Sequence, residues 1–135
     1  MMYGHDYEDA LEMVRYSEHH RDWDDSMIQE YIEKPLGIRQ YKIMRNELHE
    51  PLMFATWGFP NDEQVYDYVG TTYFPTDGYK GGGNDVWLVD FIAKKGYTRK
   101  GFRELKRMFM RSGYKKAFWF RPETRKLGWH MLKGK

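Results

Sequence analysis

Three groups of residues in this 135-residue chain are of types that carry proton transfer or anion binding. The first is Asp90, the one charge in the run Val86-Trp87-Leu88-Val89-Asp90-Phe91-Ile92-Ala93. A carboxylate in so apolar a run is drawn partly out of water, which disfavours its charge unless a partner or donors compensate. It reads either as a structural acid, paired with an arginine or capping a backbone amide, or as an acid that orients a catalytic histidine. The second group is Ser17, His19, His20 and Arg21. Histidine, with an ordinary pKa of about 6.5, suits proton transfer near neutrality. Ser17 precedes His20 by three residues, so on a continuing helical turn the two share a face. The plainer reading is a cationic helix end, stabilising without function. The third group is Lys94-Lys95-Gly96-Tyr97-Thr98-Arg99-Lys100-Gly101, a basic turn ahead of a helix. Free backbone N–H groups, the helix dipole and basic side chains make an anion cradle there, suited to the phosphate of a pantetheine-type carrier. Lys94, Lys95, Gly96, Arg99, Lys100 and Gly101 are its candidate contacts; an ordinary solvated turn is the competing reading.

Other chemistries are excluded or disfavoured. The chain has no cysteine, which removes disulfides, thiolate metal sites and thiol nucleophiles and fits a reducing compartment. His5, His19, His20, His49 and His130 show no HExxH-like spacing, so no metal is expected. No apolar run reaches the ~18 residues of a membrane span. The acidic start MMYGHDYEDALE is unlike a signal or transit peptide. These readings favour the cytoplasm.

The net charge of +2 hides a split. Residues 1–67 carry 15 acidic and 6 basic side chains, whereas residues 94–135 carry 15 basic and 2 acidic ones. The halves either neutralise each other within the fold or present a basic docking surface to an anionic partner. Tyr97, Tyr114, Phe118, Trp119, Phe120 and Trp129 lie among the basic residues, as stacking platforms for nucleic acid do. A core strand needs the same aromatic alternation, and no helix-turn-helix, RNP or zinc signature is present.

The length predicts a single domain over residues 1–135. Helices are predicted over Tyr7–Tyr16 with Asp6 as cap, and over Ser26–Glu33 after Asp24 and Asp25, stopped by Pro35. Strands follow at Ile38–Arg45 and Pro51–Phe59 around a turn at Asn46–Glu50. A short helix, Asn61–Val69, has Asn61 as cap and Gly70 as stop. Residues 71–84 read as a long loop without structure, of the kind usually mobile or functional. Val86–Ala93 reads as a central strand buried on both faces. A basic amphipathic helix, Gly101–Ser112, ends at Gly113, and strands at Ala117–Arg121 and Leu127–Leu132 close the chain. The order indicates a mixed α/β sandwich on a mostly antiparallel sheet flanked by helices.

Taken together, these pieces resemble the toxin-activating lysine acyltransferases that modify RTX cytolysins. Ser17-Glu18-His19-His20-Arg21-Asp22-Trp23 matches that family's S-x-x-H-R-x-W. Pro51-Leu52-Met53-Phe54-Ala55-Thr56-Trp57 is similar to its P-x-A-x-x-S-W, with Met53 for the alanine. Trp87-Leu88-Val89-Asp90-Phe91-Ile92-Ala93-Lys94-Lys95-Gly96 follows W-x-x-D-x-I-A-P-F-G, with two lysines for Pro-Phe. The resemblance covers about residues 8–125. It implies a GNAT-like fold and transfer of a fatty acyl group from acyl carrier protein to a lysine of a protein acceptor. It implies catalytic roles for His20, Asp90 and Ser17, and substrate contacts at Arg21, Trp23, Trp57 and Arg121. It implies no tightly bound cofactor, the acyl-phosphopantetheine of the carrier being the donor. Because the chain is shorter than its relatives, one alternative is a non-enzymatic phage virion or accessory protein on the same fold, located in the virion and binding phage structural proteins; a second, resting on the basic C-terminal half, is a nucleic-acid binder.

Overall fold

In the computed structural model, which describes residues 5–121, 124 and 126–132, five strands form one sheet. Their order is β1 (Tyr41–Arg45), β2 (Pro51–Gly58), β3 (Val86–Ala93), β4 (Lys116–Arg121) and β5 (Lys126–Met131). β1–β2 and β4–β5 are antiparallel, and β3–β4 is parallel. Helices α1 (Asp6–Tyr16), α2 (Asp25–Ile28), α3 (Lys34–Gly37), α4 (Asp62–Thr71) and α5 (Thr98–Arg111) accompany the sheet. This is the mixed α/β arrangement that the order of elements predicts. The chain divides into two compact units, Met1–Thr56 with Asp90–Arg103, and Trp57–Val89 with Glu104–Lys135.

In the first unit, Ala10, Met13 and Val14 of α1 are buried with Ile32, Leu36, Phe54 and Ile92. The helical spacing of the α1 residues puts them on one stripe, which the sheet covers. Asp6 does not cap this helix: the N-cap is His5, with no side-chain cap bond. The Asp6 carboxylate instead accepts from the Tyr41 hydroxyl and from Arg45 at 2.7 Å, while Arg45 Nε reaches Asp9 at 2.8 Å. Charge-assisted bonds to a partly buried guanidinium outcompete a cap bond to a backbone amide. Asp24 does cap α2, accepting from the Met27 amide at 3.0 Å. The expected stop at Pro35 is corrected. The helix widens into a π turn over Gln29–Glu33 and continues as α3, with Pro35 and Leu36 buried. Proline lacks an N–H and crowds the carbonyl four residues back; the wider turn carries the helix past it.

The Tyr41–Asp6–Arg45 cluster has a pH signature. Burial, then the hydrogen bond to Asp6, pushes Tyr41 up to about 12. Asp6 is held below the ordinary carboxylate value: burial would raise it, but the bonds from Tyr41 and Arg45 prevail. A raised tyrosine value gives stability that is complete below the unfolded value of about 10 and lost as pH climbs through the folded value near 12. The depressed Asp6 contributes stability above the ordinary carboxylate range and loses it as pH falls through its folded value. Urea midpoints are therefore expected to drop between about pH 10 and 12, and Tyr41→Phe should flatten that alkaline drop. Parallel alkaline profiles for the two proteins would refute the assignment.

In the second unit, Tyr68 stands edge-on to Phe74, Trp87 and Phe120, with centroids 5.2, 6.1 and 5.2 Å away. Much of the chain's aromatic content is spent in this way on core packing. Asn61 and Gln64 of α4 form a reciprocal capping box, both bonds 2.9 Å. Gly70 does not stop α4; the helix passes it and ends where Thr72 turns left-handed at φ 66°. The loop expected to lack structure contains a 3-10 turn, Thr76–Lys80. Tyr79 is buried there against Phe74, and this apolar anchor orders the segment.

β3 is the middle strand of the five. It is not buried throughout: Val86, Trp87, Leu88 and Ile92 are, while Val89, Asp90 and Phe91 are partly exposed. On α5, Leu105 and Phe109 are buried, and Phe102 and Met108 partly so. Arg99, Arg103, Arg107 and Arg111 are exposed at four-residue spacing along it. None of these four arginines makes an ion pair among the described residues.

Candidate active site

α1 ends at Tyr16, and Ser17 leaves it in an extended conformation. The chain then folds back at once: the amides of His20 and Arg21 donate to the Ser17 carbonyl at 3.2 and 2.9 Å, and the Trp23 amide donates to the His20 carbonyl at 3.0 Å. The helix does not continue as the three-residue spacing assumed, yet this turn has the same effect. Ser17 Oγ lies 2.6 Å from His20 Nδ1. On the other side of the ring, His20 Nε2 lies 2.9 Å from Oδ1 of Asp90, seventy residues away in sequence. The two side chains are only 14% and 13% exposed. Trp23 presses edge-on against the imidazole at 4.7 Å and is itself backed by Tyr31 at 5.7 Å.

This network assigns the protons. A neutral imidazole has one N–H and one lone pair, and a carboxylate only accepts. Nε2 therefore carries the proton given to Asp90, and the Nδ1 lone pair accepts from the Ser17 hydroxyl.

The turn after β3 joins the same unit. Lys94 Nζ pairs with Glu12 of α1 at 3.1 Å, and the Lys95 amide donates to the Tyr16 hydroxyl at 2.9 Å. The amides of Lys94, Tyr97 and Gly101 donate to the carbonyls of Leu52, Lys94 and Tyr97 at 2.9, 2.9 and 2.8 Å. Four amides of the expected anion cradle are thus spent within the fold. Arg99 and Lys100 stay exposed on the first turn of α5. Gly96 takes a positive φ of 90°, and Gly101 is packed so closely that a Cβ there would lie 2.8 Å from Met53 Cγ. Arg21 is exposed, its guanidinium 3.5 Å from the Tyr16 carbonyl. Trp57 and Arg121 belong to the second unit: Trp57 is buried edge-on to Phe109 at 5.1 Å, and Arg121 is exposed at the end of β4. Tyr16 and Glu12, which tie α1 to the turn after β3, carry no signal in the sequence that separates them from other residues at a helix end. Among the described residues no group of three or more His, Cys, Asp or Glu could hold a metal. No helix among them is long and apolar enough to cross a membrane.

The family model of the RTX toxin acyltransferases (HlyC) matches residues 9–127, a stretch that includes Ser17, His20 and Asp90. The chain belongs to the RTX toxin acyltransferase family. No curated protein matches this acyltransferase-family chain. Among solved structures it is similar to the loading GNATL domain of CurA from Lyngbya majuscula, with a TM-score of 0.55 and 17% identity, over 85% of the present chain and 59% of that one. This likeness is one of fold, and it matches the GNAT-like architecture that the family implies. The family member described here spans about 59% of the length of that neighbour.

Proposed function

We propose that this member of the RTX toxin acyltransferase family moves an acyl group from a pantetheine thioester on an acidic acyl carrier protein to a lysine side-chain amine. His20 is the base and Asp90 orients it. The observation that carries this reading is the unbroken line Ser17 Oγ–His20–Asp90, with contacts of 2.6 and 2.9 Å. A lysine amine attacks a thioester only without its extra proton. In the proposed step the amine nitrogen bonds to the thioester carbonyl carbon and the C–S bond breaks. The amine proton passes to His20 Nδ1, and His20 returns it to the departing thiolate. Ser17 occupies Nδ1, so the proton travels through its hydroxyl, which gives one proton to the ring as it accepts another. Asp90 holds the tautomer and offsets the imidazolium charge. The excess of basic residues in 94–135 favours encounter with an acidic carrier.

The same 2.6 Å contact also favours a second reading, in which Ser17 itself takes the acyl group before the lysine does. The test is incubation with acyl-loaded carrier protein and a lysine-bearing acceptor, followed by mass spectrometry of both proteins. The relay predicts an acylated lysine and no acyl mass on the enzyme. It also predicts that Ser17→Ala slows transfer by up to about 10²-fold without ending it. An acyl adduct on Ser17 would establish the second reading, and no acyl transfer to any amine would overturn both.

A further inference from the structure

Thr56 of β2 is a buried polar residue at 0% exposure, and its Oγ1 has no hydrogen-bond partner among the described residues. A sealed hydroxyl without a partner is a cost that folded proteins seldom carry without reason. Its surroundings supply one. In the β1–β2 pairing Thr56 stands opposite Tyr41, which packs on the α1 side of the sheet with Phe54. Side chains two apart on a strand share a face, so Phe54 and Thr56 both look toward α1. β2 and β3 are neighbours; the Lys94 amide bonds the Leu52 carbonyl, and Ile92 lies in the same core cluster as Phe54. An antiparallel register continued from the Lys94–Leu52 bond in steps of two residues sets Phe54 beside Ile92 and Thr56 beside Asp90. Asp90 shares a face with Ile92 and gives Oδ1 to His20, while Oδ2 accepts no hydrogen bond among the described residues.

We infer that Thr56 is a positioning residue for Asp90: its hydroxyl donates to the second carboxylate oxygen through one bridging water and fixes the rotation of the carboxylate beneath His20. The other polar groups near this point are already committed. Ser17 is bonded to His20, and Tyr41 and Arg45 are bonded to Asp6. The functional consequence rests on the proposed role of His20, but the geometric claim does not.

The test compares Thr56→Val, which exchanges the hydroxyl for a methyl of the same shape, with Thr56→Ser, which keeps a donor. Thr56→Ala, also lacking the hydroxyl, serves if the valine protein does not fold. Proton NMR of the protein alone follows exchange of the His20 Nε2 proton with water. Loss of the hydroxyl is expected to speed that exchange several-fold, because the carboxylate holding the proton is free to rotate; serine is expected to restore slow exchange. In the transfer assay Thr56→Val is expected to lower kcat about tenfold with KM unchanged, and Thr56→Ser to stay near wild type. Unchanged exchange in a more stable Thr56→Val protein would overturn the inference, because the hydroxyl would then be idle in the core. The NMR arm needs no acyl donor. Its result stands even if the wild-type protein transfers no acyl group, so the two failures are distinguishable.

Discussion

His20→Ala is expected to lower acyl transfer by about 10²–10⁴-fold, the usual worth of a positioned general base. Three features set this magnitude. The ring is held from both sides, at 2.6 Å by Ser17 and at 2.9 Å by Asp90. Trp23 fixes its plane at 4.7 Å. His19, its neighbour, is exposed and, among the described residues, makes no hydrogen bond or ion pair with Asp90. The fold should survive, since the buried contacts of α1 run through Ala10, Met13 and Val14. Truncation does leave Asp90 without its partner, a cost of about 1–3 kcal/mol. Steady-state assays with acyl-loaded carrier, alongside urea melts, separate the two effects. Free imidazole added to the alanine protein should restore part of the rate by occupying the vacated space. A His20→Ala protein that works at the wild-type rate would end the mechanism.

Asp90→Asn is expected to be about as damaging, on the order of 10³–10⁴-fold, with nearly unchanged shape. The carboxylate can only accept, so it keeps the proton on Nε2 and the lone pair at Nδ1, facing Ser17. An amide can turn its NH2 toward the ring. The tautomer then reverses, Nδ1–H meets the Ser17 hydroxyl, and the basic nitrogen no longer lies on the path of the proton. The amide also cannot offset the charge of the imidazolium. A purely structural Asp90 predicts something else: activity would track stability, and Asp90→Ala would be worse than Asp90→Asn on both counts. Rates and melts on the two variants decide between them.

Much of this site is legible in the sequence because its signals are local. The three-residue gap between Ser17 and His20 and the lone charge in an apolar strand each mark a residue under a nearby constraint. Asn61, with Gln64 three residues on, announces its capping box in the same way. The joining of His20 to Asp90 across seventy residues is a product of tertiary packing; residue types suggest it and only the fold delivers it. In each misreading a local preference lost to a competing arrangement, near or far in sequence. Asp6 is a good cap but meets Arg45 and Tyr41. Pro35 is a good stop, but a π turn keeps its neighbour Leu36 in the core. Gly70 could have ended α4, but Thr72 takes the left-handed turn instead. Thr56 stands where the P-x-A-x-x-S-W pattern has its serine, but a threonine in an apolar strand is also an ordinary β-former, and the pattern alone gives it no role.

The arginines at positions 99, 103, 107 and 111 make α5 unusual in its response to ionic strength. Successive rungs of this ladder are about 6 Å apart along the helix axis, inside the Debye length of about 8 Å at physiological salt. Like charges at this spacing each cost an isolated helix a few tenths of a kcal/mol, and among the described residues no carboxylate forms an ion pair with them. Added salt, which weakens attractive surface pairs such as Lys34–Glu30, strengthens this helix by screening its self-repulsion. Dilute buffer is therefore the harsher condition for α5, and multivalent anions are its natural stabilisers.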